Sequence, residues 1–414
     1  MPRFLARLVS LGRLHLGAAA ALLLLAGCNL RGPQSTFETK GPVARTQLEV
    51  FNVTWYVTLG IFIVVGLALA YATIRYRART KADEHAEPPP QSHGNPLVEF
   101  GLVAASIACL VVIAVPTLRG IAYTYAVPAA EKDDALVINA VGAQWWFRFE
   151  YPSISAALGN GAQAPLATAN ELVIPVGRPV HINLRTSDVM HSFWVPKLAG
   201  KVDMIPNRGN HLWLRADEPG YYFGQCAEFC GESHAVMRFR VIALEPAAFD
   251  AWVARQTQTA ATPPPHDDAL ASAPSAPRAQ LVGFKLTNAS GATYGEFDGD
   301  LFAFWQRQQQ PSPVDTALAG RGRRLFTEKT CAGCHTIRGH DFGGVTGPDL
   351  THFASRTTLA AGLVDNTDAN LRIWTTHPET VKPGNKMAQG YRDNHVAVTP
   401  ADADALVAYL RSLH

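Results

Sequence analysis

The sequence predicts a multidomain chain: a two-helix transmembrane hairpin, an all-β barrel or sandwich, and an all-α domain at the C-terminus. Three observations predict it. Two uncharged apolar runs bracket a basic loop, short β-type runs recur between residues 136 and 244, and apolar residues return at helical spacing near the end. At 414 residues the chain exceeds one ordinary domain. A formal charge of +2 and the lack of a Lys/Arg stripe give no basis for a nucleic-acid partner.

Residues 1–27 read as an export signal. Arg3, Arg7 and Arg13 form a basic start, and a short apolar run follows over 16–25. The run ends in Leu25-Ala26-Gly27-Cys28, which resembles the cleavage box of bacterial lipoproteins and implies lipid attachment at Cys28. Residues 28–125 then hold the membrane hairpin, with helices over about 50–75 and 97–119. At about 1.5 Å per residue, each can cross a hydrocarbon core of roughly 30 Å. Arg75, Arg77, Arg79 and Lys81 lie between the runs and belong on the cytoplasmic side. Everything after Arg119 is then outside, on the periplasmic face of a bacterial inner membrane. A buried-core helix would leave that basic loop unexplained.

Residues 126–250 form the β unit. Runs such as Val180-His181-Ile182-Asn183-Leu184 and Met237-Arg238-Phe239-Arg240-Val241-Ile242, broken by Pro and Gly, predict an antiparallel sandwich or barrel. Residues 251–315 read as a Pro/Ala/Ser/Thr-rich linker with a more aromatic appendage over 281–310. Residues 316–414 form the helical unit. Its last helix opens on Thr399-Pro400-Ala401-Asp402, an N-cap followed by an N1 proline and an acidic first turn.

The six cysteines are Cys28, Cys109, Cys226, Cys230, Cys331 and Cys334. Exported cysteines normally pair as disulfides. Here four of them sit in two short motifs, a pattern of metal and cofactor use. Cys226-Ala227-Glu228-Phe229-Cys230-Gly231-Glu232-Ser233-His234-Ala235-Val236-Met237 gathers two thiols, an imidazole and a thioether. Such soft ligands suit copper, and a second cysteine suggests two metals sharing two thiolates. Met190-His191-Ser192-Phe193, after a predicted strand, supplies the second imidazole. A disulfide between Cys226 and Cys230 would leave His191, His234 and Met237 unexplained. His181 and His211 read as ordinary strand or surface histidines.

With His191, the C-x-E-x-C-G-x-x-H-x-x-M string and the hairpin together, the chain resembles subunit II of haem–copper cytochrome c oxidases. The resemblance implies a cupredoxin-type barrel carrying the binuclear copper centre CuA. It implies Cys226 and Cys230 as bridging thiolates, His191 and His234 as terminal ligands, and Met237 and the Glu228 carbonyl as weak axial ligands. The Glu228 side chain would reach a Mg or Mn ion shared with subunit I. Gln144-Trp145-Trp146-Phe147 matches the family's aromatic segment, making Trp145 the surface residue where electrons enter. Glu99 falls where relatives carry a glutamate at a proton-channel mouth. It reads equally as a helix-end carboxylate reaching the interface.

Cys331-Ala332-Gly333-Cys334-His335 is the haem c attachment motif, with two thioether-forming thiols and a proximal imidazole. No second Cys or His pair follows at zinc spacing. Gly347-Pro348-Asp349-Leu350 and Lys382-Pro383-Gly384-Asn385-Lys386-Met387 resemble the rest of a class I cytochrome c. The resemblance implies that the proline carbonyl orients His335 and that Met387, in preference to His377, is the sixth ligand. It also matches Gly322 and Phe326 with Leu406 and Tyr409 as contacts between crossing helices.

Together these resemblances imply a caa-type oxidase subunit. Electrons would come from a cytochrome c or cytochrome bc complex to haem c, pass to CuA, and reach subunit I, where oxygen is reduced to water. Subunits I and III would be partners. A nitrous oxide reductase needs a second, histidine-rich copper cluster that the sequence lacks. A CuA-bearing nitric oxide reductase subunit would look alike and differ in its partner. A copper-delivery protein would have no need of haem c, Met237 or His191.

Overall fold

A computed structural model describes residues 30–80, 83, 87, 93–260 and 300–414. The export signal, the expected lipid site at Cys28 and residues 261–299 of the linker and appendage lie outside the described residues.

Two long helices come first, α1 (Pro42–Tyr76) and α2 (Pro96–Tyr125). Both are apolar and exposed along their central stretches, and long enough to cross a membrane. The first starts eight residues before the apolar run. Arg45 and Glu49 end that run but not the helix, because Pro42, Val43 and Ala44 are buried against the β domain. At the far end of α2, the Trp213 indole donates to the Tyr123 carbonyl at 3.0 Å, and the two rings meet edge-on. Gly120 of α2 crosses Val50 and Thr46 of α1 so closely that a Cβ would lie 3.2 Å from Val50. The helices therefore run antiparallel, with one shared end fastened to the β domain.

That domain has strands β1 (Leu136–Ala143), β2 (Trp146–Ala157), β3 (Gln163–Ala169), β4 (Glu171–Pro175) and β5 (Val180–Thr186). It continues through β6 (His191–Trp194), β7 (Lys201–Met204), β8 (Asn210–Leu214), β9 (Gly220–Cys226) and β10 (Arg238–Leu244). They form two five-stranded sheets, ordered β3-β2-β1-β5-β8 and β4-β10-β9-β6-β7. The expected all-antiparallel pairing is corrected in two places. β1 pairs with β5, and β4 with β10, in parallel. Runs of alternating residues do not encode strand direction, so only the tertiary crossovers decide it. Phe147, Phe149, Phe193 and Phe239 fill the space between the sheets, all fully buried. Gly224 makes room for them, since a Cβ there would strike the Phe239 ring.

Two short helices replace part of the expected linker. α3 (Pro246–Gln256) runs across the expected boundary at 250 and buries Phe249 and Trp252. α4 (Leu301–Gln308) buries Phe304 and Trp305. A helix this short is marginal alone. Burial of each ring contributes about 1.5–3 kcal/mol, enough to dock it.

The helical domain follows as α5 (Thr316–Glu328), α6 (Asp368–Thr376), α7 (Pro378–Val381), α8 (Lys386–Asp393) and α9 (Pro400–Arg411). α9 opens on a reciprocal cap between Thr399 and Asp402. It crosses α5 at Gly322, where any Cβ would collide with the Ala405 carbonyl. Phe326 meets Tyr409 edge-on at 5.7 Å beside that crossing.

Candidate functional site

The loop leaving β9 turns back into β10 and brings distant donors to one point. The ligand atoms of His191, Cys226 and Cys230 all lie within 4.8 Å of one another, and all three residues are buried. Cys226 Sγ is 3.8 Å from His191 Nδ1 and 3.8 Å from Cys230 Sγ. Cys230 Sγ is 3.5 Å from His234 Nδ1 and 3.8 Å from Met237 Sδ. The Glu228 carbonyl lies 3.3 Å from Cys226 Sγ. Sequence-distant His191 arrives because β6 pairs with β9, with Phe193 opposite Cys226. Two sulfurs shared between two imidazoles, with a thioether and a carbonyl at the sides, fit a pair of soft copper ions.

Asp188, which the motifs did not reveal, organises this cluster. Its carboxylate accepts from the Gln144 amide at 2.7 Å and the Val189 amide at 2.8 Å, and lies 2.9 Å from His191 Nε2. That contact fixes the imidazole with Nδ1 turned toward the sulfurs. Burial works against the Asp188 charge, but hydrogen bonds from His191, Gln144 and Val189 hold the carboxyl well below the usual range. Burial also disfavours the His191 cation, while Asp188 and Cys226 together raise its pKa. Hydrogen bonding with Cys230, against the opposing effect of burial, lowers the pKa of the Cys226 thiol. A thiolate is thus available for metal. The one sequence cue to Asp188 is an acidic residue one short turn before His191. Asp188→Asn should weaken copper retention by about 10- to 100-fold, the usual effect of removing such an orienting partner. Chelator competition on the purified protein measures it, and unchanged retention would deny Asp188 this role.

The helical domain holds a cavity of about 470 Å³. Cofactor sites span about 300–1,000 Å³. Cys331, Cys334, His335 and Met387 all line it, with Phe353, Leu371, Trp374 and Leu406 among its apolar walls. His335 Nδ1 bonds the Pro348 carbonyl at 2.9 Å, which leaves Nε2 for a metal. Burial lowers the His335 pKa, favouring the neutral imidazole that ligation needs. His377, the rival ligand, caps α7 and does not line the cavity. Two thiols, an imidazole and a thioether around one apolar slot fit a haem.

Trp145 joins the two sites. Its indole N–H donates to the Cys230 carbonyl at 3.0 Å, and the residue also lines the haem-sized cavity. Gln144 Nε2 donates to the same carbonyl at 2.9 Å. Glu99 lies elsewhere, exposed in the first turn of α2, where its charge suits the helix N-terminus. His181 and His211 stack on each other across β5 and β8, and His211 contacts the Tyr125 carbonyl, a structural role.

A cupredoxin-like barrel with a thiol cluster, tied to two apolar helices long enough to cross a membrane and joined to a helical domain with a haem-sized cavity, defines a protein with two candidate cofactor sites. Residues 136–244 match the family model "Cytochrome C oxidase subunit II, periplasmic domain", and residues 319–414 match "Cytochrome c". Cytochrome c oxidase subunit 2 of Alkalihalophilus pseudofirmus is 33% identical over 94% of both chains. The subunit 2 of Bacillus subtilis is 28% identical over 97% of both. The solved periplasmic domain of Bradyrhizobium japonicum cytochrome oxidase subunit II overlaps 29% of this chain and 92% of its own, at 30% identity and a TM-score of 0.26. This chain belongs to the cytochrome c oxidase subunit 2 family, in a form fused to a cytochrome c domain. The first domain implies CuA copper, and the second implies haem.

Proposed function

We propose that the chain accepts electrons from a cytochrome c or cytochrome bc complex at a haem c covalently held by Cys331 and Cys334. Bound haem and a binuclear copper pair would supply one-electron carriers linking that donor to subunit I, where oxygen becomes water. The chain's own residues do no bond chemistry. His335 and Met387 would be the side chains that hold the iron. Cys226, Cys230, His191, His234, Met237 and the Glu228 carbonyl would hold the coppers, and the Glu228 carboxylate would share a Mg or Mn ion with subunit I. Subunit III completes the assembly in the inner membrane, with both domains on the outer side. Glu99 is the proposed mouth of a proton path.

Trp145 is the observation that carries this reading. One side chain touches the Cys230 carbonyl and the wall of the haem-sized cavity at once. It is therefore the proposed contact through which electrons pass between the centres. In the purified oxidase, flash reduction of haem should be followed by electron arrival at copper. Trp145→Ala should keep both cofactors and slow that arrival. An unchanged rate would remove Trp145 from the path, and absence of any arrival in the unmodified protein would overturn the reading itself.

A further inference from the structure

Electron-transfer partners that meet by diffusion use small, wet contacts with their charges at the rim. The seam between the two domains is built differently. Each domain inserts a buried ionisable side chain into the other.

Lys382 comes from the loop before Met387 and is 3% exposed. Its ammonium donates to the carbonyls of Trp145 at 2.6 Å and Val236 at 3.3 Å, both in the copper domain, and to Ala360 at 3.1 Å. Burial pushes its pKa down to about 7, against the opposing charge of Cys230. From the other side, Glu171 opens β4 and is 8% exposed. It accepts from the Thr357 amide at 2.8 Å, the Thr357 hydroxyl at 2.7 Å and the Trp305 indole at 3.2 Å. Between the two anchors, the Arg238 amide of β10 donates to the Ala361 carbonyl at 3.0 Å. The fully buried Arg240 guanidinium donates to the Gly362 carbonyl at 3.0 Å.

We infer that Lys382 and Glu171 are positioning residues that lock the haem domain onto the copper domain in one register. The physical reason is the cost of any other arrangement. A buried charge or carboxylate stripped of its hydrogen bonds is strongly disfavoured, so a shifted seam would strand both groups. Two anchors with separate partners, Lys382 on Trp145 and Val236 and Glu171 on Thr357, fix rotation as well as separation. The lock holds the cavity wall against Trp145, and it covers the face of Trp145 that meets Gly384. An external donor is thereby directed to the haem domain and kept from the copper domain at that point. Trp305 gives the short helix α4 its purpose, as a brace between Glu171 and the copper-domain core.

This inference rests on the proposed haem-to-copper route for its consequence, but the seam has a readout of its own. The test uses the purified oxidase with Lys382→Met, Glu171→Ala and Thr357→Val. Hydrogen exchange at the Arg238 amide reports the seam, and flash reduction reports transfer between the centres. Each variant should lose protection at Arg238 by about tenfold, the scale of one unsatisfied buried polar group. Transfer should slow, and in Glu171→Ala and Thr357→Val the optical spectra of both centres should be unchanged. Thr357→Val removes one hydroxyl outside either ligand set, so it remains informative if Lys382→Met fails to assemble. Undiminished Arg238 protection in Glu171→Ala and Thr357→Val would overturn the lock. Lost protection with unchanged transfer would overturn the positioning role. A parent protein with no transfer at all would instead remove the electron route, and the exchange result would still decide the seam.

Discussion

Cys230→Ser should reduce the copper content from about two per haem to almost none, and erase any spin signal delocalised over two coppers. The expectation follows from where Cys230 sits. Its sulfur lies 3.8 Å from Cys226 Sγ, 3.5 Å from His234 Nδ1 and 3.8 Å from Met237 Sδ, so it is the hub of the cluster. A serine oxygen is a hard donor that ordinarily stays protonated and bridges soft copper poorly. The site is also 3% exposed, so water has little access to replace the lost ligand. Haem attachment should survive, because Cys331, Cys334 and His335 line a cavity built on a separate apolar core. Metal analysis with electron paramagnetic resonance checks this. A variant that keeps both coppers and the delocalised signal would show that Cys230 is not a bridging ligand.

Met387→Ala should abolish the methionine–iron absorption band and lower the haem reduction potential. A thioether opposite a histidine favours the reduced iron, and alanine offers no donor. Met387 stands near the start of α8, and the preceding Asn385 caps that helix by accepting from the Ala388 amide at 2.8 Å. The cap holds the backbone in place without the methionine side chain. The effect should therefore be on the iron and its potential more than on the fold. Redox titration of the purified oxidase gives the potential, and its optical spectrum gives the band. If both persist in the variant, another residue is the sixth ligand.

The sequence by itself determined whatever is compressed into short stretches of chain. Twelve residues from Cys226 to Met237 hold five of the six proposed copper donors, and the five from Cys331 to His335 hold the proposed haem attachment set. Such chemistry is legible because spacing alone limits what those side chains can reach. The apolar runs of α1 and α2 are legible for a similar reason, since a membrane reads length and hydrophobicity locally. Only the tertiary structure decided which distant groups serve those sites. Asp188 orients His191 through a turn between strands, and its place three residues before that histidine does not by itself encode the contact. Lys382 and Glu171 are 211 positions apart (382 minus 171), and each looks like an ordinary charged residue in sequence. Their roles arise from burial and from partners on another domain. The parallel pairings of β1 with β5 and β4 with β10 were likewise set by long-range packing. Burial and long-range hydrogen bonds depend on the whole folded chain, and no local pattern of residues records them.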